Sequence, residues 1–298
     1  MIFFTQRNYS ILRVLSKSKV IRMTMKSIPL NIIAMSFLFT VNIYAIEPES
    51  LKDKYYTGDT IKFANHQWVI KDSKEKITGP GKNYFSNADS NVWVDSLGKL
   101  HLRIIQRNEK WYCSEVRLTE SLGYGRYIFH LDPLPQPLDK DMVIGLFMYD
   151  HLDTGNFHKE IDIEFSKWGK EKNENSQYVI QPYENQPHRF QTDLNISSKH
   201  VIDVRKRKLS FSSSYSVEKL PDSLHKSIQK WTYKPESAYR TSDEKVSINI
   251  WLYKASETAS LKTVEVVISN FEFIPFKFEK HKPVWPKIRI FKKSKDES

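Results

Sequence analysis

His158-Lys159-Glu160-Ile161-Asp162-Ile163-Glu164-Phe165 places an acid at every second position from Glu160 onward, with Ile161, Ile163 and Phe165 between and after them. In a strand successive side chains point to opposite faces, so this spacing sets three carboxyls on one face and three apolar groups on the other. On a helix, at 3.6 residues per turn, the same acids would spread over roughly 200° of arc. The β-branched isoleucines also favour the strand.

The same alternation recurs along the chain. Leu100, Leu102 and Ile104 alternate with His101 and Arg103, and Val264, Val266 and Ile268 repeat the pattern. Asn91 to Asp95, then Ser-Leu-Gly-Lys, then Leu100 onward, reads as strand, tight turn, strand. Further strands are expected at Arg126–Leu131, Val143–Tyr149, Glu160–Phe165, Gln177–Gln181, Lys208–Ser212, Val246–Tyr253 and Phe271–Phe276. Helical periodicity is scarce, and Ser223–Lys230 is its best short candidate. Many short strands between turn signals predict one all-β sandwich or barrel over residues 46–275. Two stacked sheets would bury one face of each and leave an outer concave face for a ligand.

The ends differ from the body. The first 45 residues hold six basic residues and no acid, followed by an apolar stretch from Ile32 to Val41 and then Ile43-Tyr44-Ala45. This is the three-part pattern of a secretory signal, so residues 1–45 are expected to be a signal peptide and the mature chain secreted or periplasmic. Met25-Lys26 before the apolar run offers an alternative start. The run falls short of the ~20 residues of a membrane span, so no stable span is expected after cleavage. Residues 276–298 form a basic tail with eight basic and three acidic residues, and residues 46–275 then carry 32 of each. The net charge of +11 therefore belongs to the two ends. A nucleic-acid partner would need a basic face on the folded body, and none is expected. Cys113 is the only cysteine, which excludes an intrachain disulfide or a thiolate metal cluster.

Three carboxyls on one strand face repel each other, and glycoside cleavage gains from that. One carboxylate must be ionised to attack the sugar, and another must hold a proton for the leaving oxygen. Negative neighbours raise the proton affinity of a carboxyl, so Glu160 and Asp162 can keep Glu164 protonated. Retention of configuration needs the two carboxyls about 5–5.5 Å apart, whereas the i to i+4 backbone span is roughly 13 Å. Spacing alone permits retention and also permits a calcium site or an exposed polar strand face.

Glu160-Ile161-Asp162-Ile163-Glu164 resembles the active-site strand of glycoside hydrolase family 16, the lichenase, laminarinase and xyloglucan transglycosylase group. The flanks resemble the family too. Ser114-Glu115-Val116-Arg117 precedes Tyr124-Gly125-Arg126-Tyr127, Gly145 to Tyr149 precedes the acidic strand, and Ile248-Asn249-Ile250-Trp251 and a final strand pair in Val264–Pro275 follow it. The likeness runs in order from about Phe63 to Pro275. It implies a concanavalin A-like jelly-roll β-sandwich with a concave substrate cleft. It further implies a retaining endo-glycosidase acting on β-1,3/1,4-linked glucan, with Glu160 as nucleophile, Glu164 as acid/base and Asp162 tuning both. Glu115, Arg117, Asn249 and Trp251 would line the cleft, and Trp168, Tyr178 and Gln181 follow the acidic strand as further sugar-binding candidates. No cofactor is required for such catalysis, although a structural calcium is implied without ligands that can be named. The expected partner is polysaccharide, and the expected state a monomer. One departure is visible: Val201 to Lys208 lacks the Trp common there in the family. The loop Asp132–Asp141, with three prolines, matches no subgroup. A transglycosylase with the same acids, a lectin-like binding module and a structural envelope protein are the competing readings.

Overall fold

The computed structural model describes residues 11–16, 19–24, 55–56, 58–182, 187–216, 226–237, 239–254 and 263–277. Met1–Ile46 and Glu47–Ser298 are two compact units. In the first, β1 (Ile11–Ser16) and β2 (Lys19–Thr24) pair antiparallel. The rest of the expected signal segment, and the basic tail beyond Lys277, lie outside the described residues. Among the described residues no helix is long and apolar enough to cross a membrane.

The second unit is built of β3 (Thr60–Phe63), β4 (His66–Ile70), β5 (Tyr84–Phe85), β6 (Val92–Val94), β7 (Leu100–Arg107), β8 (Lys110–Leu118), β9 (Gly125–Leu131), β10 (Met142–Tyr149), β11 (Ile161–Phe165), β12 (Ser176–Ile180), β13 (His188–Phe190), β14 (Ser198–Arg205), β15 (Lys208–Tyr215), β16 (Ser227–Tyr233), β17 (Lys245–Leu252) and β18 (Val264–Pro275). One layer runs β13-β12-β11-β10-β17-β8-β4-β3, and the other runs β6-β7-β18-β9-β14-β15-β16. The β7–β8 hairpin joins the layers, and β5 lies parallel to β8. This is an all-β jelly-roll sandwich.

Alternation explains the layers. Ile161, Ile163 and Phe165 of β11 are fully buried, as are Leu146 of β10 and Ile248 and Ile250 of β17. They meet Tyr127, Phe129, Ile202, Val204 and Phe271 of the opposite layer in one core. Each such side chain contributes roughly 1.5–3 kcal/mol by leaving water. Rings interlock across the layers: Phe165 meets His200 at 4.9 Å, Trp68 meets Phe271 at 5.4 Å, and Tyr178 stacks on Phe211 at 5.0 Å.

The expected hairpin β6–β7 forms. Asp95 Oδ1 accepts the amides of Leu97 (2.9 Å) and Lys99 (2.8 Å), and Gly98 takes the left-handed turn position at φ 80°. Two expectations are corrected. Ser227–Lys230 belongs to β16 and is not helical, because β15 offers its edge to that segment; residues 223–225 lie outside the described residues. Val264–Pro275 is one long strand, not a pair. Its first half pairs β7, its second half pairs β9, and the register shifts between Ile268 and Asn270.

Candidate active site

The antiparallel register aligns side chains of neighbouring strands into rows across the outer face of the β11 layer. Gln177 of β12, Glu164 of β11, Gly145 of β10, Asn249 of β17 and Glu115 of β8 are successive partners. In the next row stand Val179, Asp162, Phe147, Ser247 and Arg117. Glu160 lies just before the ladder in extended conformation (φ −69°, ψ 131°), and its carbonyl accepts the Gln181 amide at 3.1 Å. The chain reaches Glu160 through Phe157, His158 and Lys159, three consecutive non-glycine residues at φ 49°, 57° and 50°. This arc is held by the Asp150 amide donating to the His158 carbonyl (2.7 Å) and by the His158 ring stacked on Tyr149 at 4.4 Å.

All three acids line one cleft of about 650 Å³, together with Glu115, Gly145, Phe147, Tyr149, Asn249 and Trp251. That volume suits a ligand of several sugar rings. Apolar rings beside acids suit pyranose, whose C–H face stacks while its hydroxyls reach polar neighbours.

Burial first, and then the charges of Glu164 and Glu115, push Glu160 up to about 8. Burial pushes Glu164 up to about 7 against the Gln177 hydrogen bond and the Arg189 charge. Asp162 is raised well above the usual carboxylate range by burial and by both glutamates. It shares a hydrogen bond with Glu160 that keeps the proton on Asp162 and favours charge on Glu160. Gln177 Nε2 donates to Glu164 Oε2 at 2.6 Å, and Arg189 Nε donates to Gln177 Oε1 at 3.1 Å. Tyr149 is held up to about 12 by burial and the nearby glutamate charges. Burial and the Arg117 and Lys71 charges push His151, another lining residue, down to about 3, so it is neutral.

Other expected sugar ligands separate. Glu115, Asn249 and Trp251 line the cleft. Tyr178 does not: it is fully buried between the layers, with its hydroxyl donating to Ser213 at 2.7 Å. The neighbouring parity carries Gln177 to the acids instead. Arg117 is buried, with its guanidinium 3.8 Å over the Tyr56 ring, and does not line the cleft. Trp168 meets Trp251 edge-on at 6.2 Å and braces it from outside the lining. Gln181 lines a second cavity of about 510 Å³ on the other side of Glu160. Val204, within the segment that lacks the family's Trp, is buried in the core. Among the described residues no group of three or more His, Cys, Asp or Glu is placed to hold a metal ion.

The fold that carries this site coincides with a known architecture. The chain superposes on a Bacillus licheniformis β-glucanase with a TM-score of 0.51 at 19% identity, over 74% of this chain and 100% of that one. The chain has the fold of the family 16 glycoside hydrolases. A Bacteroides ovatus family 16 protein of a mixed-linkage-glucan locus, solved with a G4G4G3G product, gives a TM-score of 0.51 at 11% identity, over 74% of this chain and 98% of that one. A Mycobacterium tuberculosis protein described as an immunostimulatory antigen and pseudo β-1,3-glucanase gives 0.51 at 13%, over 70% and 91%. No family model and no curated protein matches the sequence.

Within this family 16 fold, Gly145 is the residue that leaves the floor open between Glu164 and Asn249. A Cβ there would stand 2.6 Å from Asn249 Oδ1 and 3.4 Å from Phe147. Gly145→Ala is therefore expected to displace the Asn249 amide and, if the cleft acts as a glycosidase, to lower kcat/KM roughly 10²-fold, since a shift near 1 Å has that effect on a positioned group. Initial-rate kinetics on β-glucan check this, with circular dichroism confirming the fold. Tyr56, Lys71, Tyr149, His151 and Gln177 were not expected at the site. Of these, Gln177 stands directly opposite Glu164 in the pairing of β12 against β11. Tyr56 and Lys71 arrive from distant parts of the chain with no motif to announce them.

Proposed function

We propose that this protein is a secreted retaining endo-glycosidase that hydrolyses β-1,3/1,4-linked glucan by double displacement. The observation that carries this reading is the trio Glu160, Asp162 and Glu164 on one strand face inside one cleft, with proton affinities raised by burial and mutual charge. Glu164 gives its proton to the glycosidic oxygen as the C1–O bond breaks, and Glu160 forms the new bond to C1. Glu164 then takes a proton from water as its oxygen attacks C1, which releases Glu160 as carboxylate. Asp162 keeps Glu160 charged by donating to it. The β-glucanase and mixed-linkage neighbours support glucan as substrate, and the N-terminal basic and apolar pattern supports export.

The test is a polysaccharide panel of mixed-linkage glucan, laminarin, xyloglucan and galactan, with product linkage analysis and proton NMR of the first anomer released. A β-anomer appearing first supports retention. An α-anomer first overturns it, and binding without cleavage on any member returns the chain to a lectin-like role. Transfer products that dominate over hydrolysis at high oligosaccharide concentration would make it a transglycosylase.

The pH profile carries a second expectation. Activity needs Glu160 ionised and Glu164 protonated. With Glu160 at about 8 and Glu164 at about 7, that form is a minority species, most populated between the two values. kcat/KM is therefore expected to be bell-shaped, falling on the acid side as Glu160 gains a proton and on the alkaline side as Glu164 loses one. In Glu164→Ala, assayed with an aryl β-glycoside whose leaving group needs no proton, the alkaline limb disappears. A limb that persists there belongs to another group.

A further inference from the structure

Resting on the glycosidase reading, we propose that Lys71 and Glu115 are positioning residues: they fix the amide of Asn249 so that its oxygen receives a hydroxyl of the bound sugar, and Glu115 itself does not bind sugar. The donors around Glu115 carry this. Glu115 is 2% exposed. Oε1 accepts the Tyr56 hydroxyl, while Oε2 accepts Lys71 Nζ at 2.9 Å and Asn249 Nδ2 at 3.4 Å. Lys71 is itself buried, donates also to the Gly79 carbonyl at 2.8 Å, and sits 4.2 Å over the Phe85 ring. Three donors thus occupy three of its roughly four acceptor sites, on a residue almost closed to the cleft.

The consequence falls on Asn249. Only the NH2 end of an amide can face a carboxylate, so Oδ1 is turned the other way, toward β10. There it overhangs Gly145, whose missing side chain leaves the space free. Asn249 is 3% exposed, and its Oδ1 has no hydrogen-bond partner among the described residues. A buried carbonyl oxygen left unpaired is costly unless a ligand supplies the donor. Asn249 as a residue lines the cleft, one strand from Gly145 and two from Glu164, with Oδ1 just beneath the surface of the floor. A sugar hydroxyl is the donor that a polysaccharide would bring there. Lys71 enforces the arrangement by holding the same Glu115 oxygen, Oε2, to which the Asn249 amide donates.

The test is a mutant cycle on the best substrate of the panel. Lys71→Met and Glu115→Gln are each expected to lower kcat/KM about tenfold in the wild-type background, and by less than about twofold in Asn249→Ala, because coupled residues are non-additive. Glu115→Gln keeps shape and volume, so it decides the matter if Lys71→Met does not fold. Effects that persist undiminished in Asn249→Ala, or no effect in the wild type, overturn the relay. Wild-type turnover is measured first: if it is absent, the glycosidase reading fails by itself. The same cycle is then read as the Kd of laminaritetraose and a mixed-linkage tetrasaccharide by calorimetry, with the same two outcomes.

Discussion

Glu164→Gln is expected to lower kcat on β-glucan roughly 10²- to 10⁴-fold, the range for removing a general acid, and Glu160→Gln by at least as much. The two losses differ in kind. Without Glu164, the glycosyl-enzyme still forms from an aryl glycoside with a good leaving group, and azide can then attack it from the open face. Glu164→Ala with azide is expected to yield the β-glycosyl azide. Without the Glu160 carboxylate, azide fills the vacated space and attacks C1 directly, so Glu160→Ala is expected to yield the α-glycosyl azide. Product configuration by NMR thus assigns each role independently of rate. Wild-type turnover in both glutamine variants would show that the two acids stand beside some other chemistry.

The second large effect is on stability, and its sign follows from the same burial. A carboxyl raised in the folded state keeps its proton where the unfolded chain has lost it. For Glu164 that window runs from its ordinary value of 4.5 to about 7. Within it the folded chain binds more protons, so stability falls as pH rises. Below the window the group is neutral in both states and the penalty vanishes. Glu164→Gln is therefore expected to raise stability at pH 8 by on the order of 2 kcal/mol, discounted for the part of Glu164 that still meets solvent. For a chain of this size that is a Tm gain of about 5 °C, with no gain at pH 4. Asp162→Asn, whose amide can still donate to Glu160, is expected to move the same way. Differential scanning calorimetry at the two pH values checks both; a gain of equal size at pH 4 would assign the effect to packing. Such a gain is the usual trade between a charged site and a stable fold.

The strand that holds the acids was legible because its alternation is unbroken on both faces. Ile161, Ile163 and Phe165 had nowhere to go but the core, and that fixed the direction of the carboxyls. β12 gave no such signal. Its five residues are all buried, so polarity does not mark which face is which, and Tyr178 read as a sugar platform when it is a core ring. A slip of one residue reverses a strand's faces, and Gln177 stood on the face assigned to Tyr178. Lys71 and Tyr56 were illegible for another reason. Lys71 follows the end of β4 and Tyr56 precedes β3, and only the β4–β8 pairing and the hydrogen bonds around Glu115 bring them to the cleft. Ser223–Lys230 misled because a short amphipathic run carries no information about an edge waiting to be paired, and β15 supplied one.

On the proposed glycosidase reading, the left-handed arc of Phe157, His158 and Lys159 makes turnover depend on three residues outside the cleft lining. Each non-glycine residue in that region is held at a cost of about 1–3 kcal/mol by its surroundings. Loosen the His158–Tyr149 stack or the Asp150 clasp, and the arc recoils toward ordinary backbone, swinging Glu160 out of line with its partner acid. The sandwich beneath would stay whole, and the rest of the cleft lining would keep its place. A scaffold wired in this way can be decommissioned as a catalyst by drift in one short bend while it goes on serving as a receptor.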